Sequence, residues 1–141
     1  AAVKAALAEG IVPGGGVTLI NLASAITTPN DEDAAISAGK MILKNALEQP
    51  FRILLTNAGI NADEWLPQVK NGKPGFGVDV NNPTQLVDLK AAGVVDPARV
   101  TKEALLNAVS IAGTSITMGA LVVEVPEKKE GGADPASMGM M

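Results

Sequence analysis

The chain has no cysteine, no histidine and no tyrosine. Without cysteine there are no disulfides, no thiolate nucleophile and no cysteine-based zinc site, and the absence of disulfides fits a reducing compartment. Without histidine, nucleophile–imidazole triads, histidine-metal sites and imidazole acid/base chemistry are excluded as well. Aromatic residues are almost missing: Phe51, Trp65 and Phe76 are all there are. Positive charge is also scarce. Eleven basic residues against 15 acidic give a net charge of −4, which is no footprint for a nucleic-acid backbone or an anionic membrane. The amino terminus has no basic and then apolar leader. AAVKAALAEG reads as the last turns of a helix already under way, so the chain is expected to continue upstream.

What is present is aliphatic. With 47% hydrophobic and 18% charged residues over 141 positions, the composition suits one domain with a real core and argues against disorder of the whole chain. Ala1 to Glu9 is a strong helix former, stopped by Gly10 in the position where a left-handed residue is needed. Ile11 to Gly16 (IVPGGG) breaks the chain, and Val17 to Ile26 resumes helical spacing with Leu19, Leu22, Ala23 and Ile26 on one stripe. Thr28 to Asp33 is rich in capping side chains and precedes a helix to about Leu47, with Ile36, Leu43, Ala46 and Leu47 on its apolar face. Pro50 is expected to open a separate helix through Phe51, Leu54, Leu55 and Ala58, ended by Gly59. A short helix from Asn61 or Ala62 to Val69 carries Trp65.

Asn71 to Pro83 is dense in turn formers around Phe76 to Val80 and reads as a small β-hairpin or an ordered loop. Asp96 and Pro97 read as an N-cap and first helical residue, starting the longest helix, to about Met118. Leu121 to Val125 is a β-prone run, and residues 126–141 form a polar, Gly/Met-containing tail expected to be disordered. The fold class predicted is therefore all-α, mainly helical, with a small β-hairpin and a short C-terminal strand.

Three features invite a chemical reading. The VPGGGV loop resembles a phosphate cradle at a helix N-terminus, yet it lacks the Lys-Ser/Thr of a P-loop and does not follow the dinucleotide-binding pattern; a tight helix-to-helix turn with close packing is the simpler reading. Asp96 is most simply a cap. Asp79 is a turn former or an acceptor for a ligand's hydroxyls or amine. Asp31, Glu32 and Asp33 are spaced for capping and not for a metal cage. Ala104 to Val123 is apolar enough to be weighed as a membrane span, but Asn107, Ser110, Thr114, Ser115 and Thr117 interrupt it and no basic cluster or aromatic belt flanks it. A buried core helix is the better reading. A non-enzymatic helical packing or oligomerisation module remains the main rival.

Beyond these residue-level readings, AALAEGIVPGGGVTLI, GKPGFGVDV, AAGVVDPARVTKEALLNAVSIAG and the MGMM ending occur in the order found in group I chaperonins of the GroEL type. The chain resembles the carboxy-terminal part of such a subunit over nearly its whole length. The resemblance implies that 1–125 is the C-terminal half of an equatorial ATP-binding domain, 1–10 being the end of an intermediate-domain helix, with 126–141 as tail. It carries the family's nucleotide contacts onto Gly15, Asp79, Val80, Asn81 and Asp96, the triglycine and Asp96 flanking the ribose. Where the family shows Asn or Asp followed by two Ala residues, this chain has Asp79-Val80-Asn81. The Gly-Asp-Gly-Thr-Thr phosphate loop, the Gly-Pro-Lys turn and the catalytic Asp have no counterpart here, nor does the apical domain. The implied whole is a cytoplasmic bacterial, or alternatively organellar-matrix, protein-folding ATPase using ATP with Mg2+ and K+. Its partners would be other subunits in a heptameric double ring, a co-chaperonin and unfolded proteins, with neither nucleic acid nor membrane. This piece alone would supply no catalytic residue or metal ligand, bind no nucleotide tightly and hydrolyse no ATP.

Overall fold

The computed structural model describes residues 2–119. Five helices dominate: α1 (Ala2–Glu9), α2 (Val17–Ala25), α3 (Ala34–Asn57), α4 (Ala62–Asn71) and α5 (Ala98–Ile116). Four three-residue strands form two antiparallel ribbons. Strand β1 (Ile11–Pro13) pairs with β4 (Val95–Pro97), and β2 (Phe76–Val78) pairs with β3 (Leu86–Asp88). The mainly helical class with minor β agrees with the sequence. The expected strand at Leu121 to Val125 and the tail lie outside the described residues.

The core is small and local. Val17 and Ile20 of α2, Phe51 and Leu55 of α3, Ala62, Leu66 and Val69 of α4, Val78 of β2, and Leu89 form one buried cluster. Gly16 makes its geometry possible. A Cβ there would lie 2.8 Å from the Phe51 nitrogen, and its φ of 77° is one that only glycine adopts cheaply. Helix α2 therefore starts directly against α3. This turns Val17, Ile20 and Ala23 inward, correcting the stripe expected from spacing: Leu22 is exposed and Ile26 lies past the helix end as its C-cap.

Helix α3 runs unbroken through Pro50, where two helices were expected. An interior proline costs about 3 kcal/mol, but Leu47 before it and Phe51 and Leu55 after it are all buried on one i, i+4 stripe. Each such side chain contributes roughly 1.5–3 kcal/mol by burial, so packing outweighs the lost hydrogen bond. Its start was legible: the Asp33 carboxylate accepts from the N–H groups of Ala35 and Ile36 at 2.8 and 3.3 Å. Likewise Asn61 caps α4 by accepting from Asp63 N–H.

Two further expectations fail. Asp96 is not an N-cap: it lies within β4, opposite Val12, and α5 is preceded by Pro97 with no side-chain cap. A residue before proline is pushed to extended backbone, and the ribbon with β1 uses that conformation. The hairpin, too, is wider than 71–83, because β2 finds its partner at 86–88. Among the described residues no helix is long and apolar enough to cross a membrane; α5 ends at Ile116.

Candidate nucleoside-binding site

The triglycine is a tight turn with two consecutive left-handed residues. Gly15 and Gly16 have φ of 64° and 77°, and Val17 N–H closes the turn on the Gly14 carbonyl at 3.2 Å. Gly14 N–H is engaged by the Val94 carbonyl at 2.9 Å. Gly15 and Gly16 N–H have no acceptor among the described residues, and they sit at the start of α2, where the helix dipole adds about half a positive charge. Thr18 Oγ1 donates to the Pro13 carbonyl at 2.7 Å and holds the turn's entry. Close packing is realised at Gly16, while the Gly15 amide is open.

The turn meets two other segments through Leu89, which is 0% exposed. Leu89 N–H donates to the Gly75 carbonyl at 3.2 Å, and its own carbonyl accepts from Val94 N–H at 2.8 Å. Its side chain lies below Gly15, with Cδ1 at 3.9 Å from where a Cβ would stand, and against Gly77. A continuous backbone relay, Gly75–Leu89–Val94–Gly14, therefore joins the strand leading to Asp79, the strand holding Asp96 and the triglycine. Sequence reasoning missed Leu89. Its signal is an apolar residue flanked by the charges of Asp88 and Lys90, just past the short apolar run Leu86-Val87 and without helical or strand spacing of its own.

Asp79 follows β2 directly and is half-buried. Its Oδ1 accepts from Asn81 N–H at 2.9 Å and its carbonyl accepts from Asn82 N–H at 3.0 Å, so the carboxylate shapes the turn with one oxygen. The other has no hydrogen-bond partner among the described residues. Val80 and Asn81 are exposed on this turn. Asp96, exposed on β4, directs a carboxylate with no bond to any described group. Its freedom from capping leaves it available to a ligand. The segments bearing all five sequence-selected residues are thus linked, while a separate open hollow of about 470 Å³, bounded by Pro13, Thr18, Asn21, Gly75, Asp88 and Lys90, contains none of them.

The donor set has a defined chemistry. Free amides and two carboxylates suit hydroxyl and amine groups, as on a nucleoside. No lysine follows the glycines to hold phosphates, the Thr18 hydroxyl is engaged by the Pro13 carbonyl, and no cluster among the described residues could hold a metal ion.

The sequence pattern of the TCP-1/cpn60 chaperonin family matches residues 1–126. Among solved structures, the crystal structure of a group III chaperonin in the open state is similar, with a TM-score of 0.72 and 30% identity. The match covers 84% of this chain and 25% of that one, so the chain spans about a quarter of the chaperonin's length.

Proposed function

The chain belongs to the TCP-1/cpn60 chaperonin family, and on that premise we propose that it is the carboxy-terminal portion of a group I chaperonin subunit, forming the nucleoside side of an equatorial ATP site. The observation that carries this reading is the relay through Leu89, which ties the open Gly15 amide, the Asp79 turn and the uncapped Asp96 carboxylate into one unit. In the intact subunit Asp96 and Gly15 bind ribose hydroxyls, and Asp79, Val80 and Asn81 line the base. Phosphates, Mg2+ and K+ are held by residues outside this chain, which accordingly supplies recognition and no catalytic group. The group I assignment rests on the AEGIVPGGGV and GVVDPARVT segments.

The unpaired surfaces agree with a part of a larger assembly. An apolar cleft of about 440 Å³ between α3 and α5, lined by Leu19, Leu43, Leu47, Leu105 and Val109 among others, is the surface on which the rest of the domain and neighbouring subunits pack. The assembly proposed is a ring of such subunits, closed by a co-chaperonin around unfolded protein.

Asp96→Ala tests the site in the full-length subunit. Because Asp96 caps no helix, its loss should weaken ATP binding by about 1–3 kcal/mol through lost charge-assisted hydrogen bonds, with the melting temperature unchanged. Unaltered ATP affinity by calorimetry, or steady turnover by residues 1–141 alone, contradicts the assignment.

A further inference from the structure

Strand β2 has glycine at its centre, where a strand ordinarily gains from a β-branched residue. Gly77 is buried and its φ is not in the left-handed region, so the backbone does not require glycine there. Space does. A Cβ at Gly77 would lie 2.5 Å from Val17 Cγ2 and 2.7 Å from Leu89 Cδ1, against about 3.5–4.0 Å for an unstrained carbon contact.

Neither neighbour can step aside easily. Val17 is 1% and Leu89 0% exposed, so neither side chain has open space beside it to move into. The same Leu89 methyl also stands below Gly15. The missing side chain at 77 therefore lets β2 lie directly on the first residue of α2 and on the residue that supports the triglycine.

We propose that Gly77 is a positioning residue of the nucleoside site: by letting β2 rest on Val17 and Leu89, it sets the spacing between the Asp79 to Asn81 turn and the Gly15 amide. The inference rests on the nucleotide reading of those residues. A methyl group at 77 has to lift β2 by about an ångström to restore normal contact distance. Asp79, two residues along, moves with it, whereas the triglycine stays tied to Val94 by the Gly14 hydrogen bond. Misplacement on that scale lowers ligand-dependent rates by roughly ten- to a hundredfold. The groups that hold phosphate and carry out hydrolysis lie outside this chain, so the defect belongs to binding.

The test uses the full-length subunit with Gly77→Ala, Val17→Ala, the double variant and Asp79→Ala, and measures ATP turnover against ATP concentration. Gly77→Ala should raise KM about tenfold while kcat stays within about threefold. In the double variant the methyls removed from Val17 end one clash and leave a space into which the Leu89 Cδ1 methyl can turn to end the other, and KM should return to within about threefold of the Val17→Ala value. A folded Gly77→Ala with unchanged KM, or a double variant as impaired as the single, overturns the proposal. If Gly77→Ala does not accumulate as folded protein, the double is compared with Val17→Ala alone: equal KM supports the proposal and a tenfold rise overturns it. Asp79→Ala separates the two readings. If it weakens ATP binding while Gly77→Ala does not, only the positioning role falls; if it leaves binding intact, the nucleoside reading of this turn falls and the positioning role with it.

Discussion

Two regions of this molecule are held by different forces. The α2–α3–α4 layer with β2 and Leu89 contains nearly all the buried apolar side chains. The α1–α5 arm has no buried residue in either helix. It is joined by the β1–β4 ribbon, by the Ala98 N–H bond to the Gly10 carbonyl at 3.0 Å, and by ion pairs. Glu9 receives Lys102 and, at 4.0 Å, Arg99, which also binds Glu103 at 2.7 Å. Yet α5 is rich in large apolar residues: Leu106, Ile111 and Ile116 are 61, 68 and 81% exposed. A helix with that composition and no buried face presents an exposed apolar surface. One region is a finished core and the other an open apolar face.

The largest expected contrast between them is in core truncation. Phe51→Ala should destabilise the chain by about 3–5 kcal/mol, a large share of a marginal total. Leu106→Ala, of similar chemistry but on the exposed arm, should stay within about 0.5 kcal/mol. Urea melts of the two variants decide it, and an equal loss would show that α5 is packed in solution against something, a second copy included.

A finer contrast concerns the two aspartates placed before helices. Asp33→Ala removes a bonded cap and should cost about 1 kcal/mol. Asp96→Ala removes none and should melt like the parent, within about 0.5 kcal/mol. Thermal melts that ranked them the other way would restore Asp96 as a cap and weaken its assignment to a ligand.

The smallest effect is electrostatic and confined to the arm. The Arg99 hydrogen bond and charge hold the Glu103 carboxyl below its ordinary value of 4.5 and raise Arg99 in turn. A carboxylate with a depressed folded pKa stabilises fully above its ordinary value and loses that contribution as pH falls through 4.5 toward the lowered one. Both groups are exposed, so added salt should screen the pair. Protection of the α5 amides, taken relative to the intrinsic exchange rate at each pH, should therefore fall on acidification below pH 4.5 and in high salt, before that of the core amides. Simultaneous loss of protection in both regions would mean that the arm is as firmly bound as the core.

Helix caps and stops were readable from residues because they are local. Asp33 accepts the amides that its spacing assigned to it, and Gly10 and Gly59 take the left-handed backbone that ends their helices. Pro50 misled because local propensity ignores what Leu47, Phe51 and Leu55 gain on the far side of the same helix. Asp96 misled for a related reason: the cap signature Asp-Pro is also the signature of an extended residue before proline, and only the distant strand β1 chose between them.

The sequence by itself determined the helical class and the glycine turns, since these depend on the backbone permissiveness carried at each position. Only the tertiary structure decided which face of α2 is buried, that Asp96 is uncapped, and that Leu89 and Gly77 join the glycine turn to the Asp79 segment. Those outcomes depend on contacts between residues distant in the chain, such as Gly16 against Phe51, Val17 against Gly77 and Gly14 against Val94. Close packing at an absent side chain has no local trace.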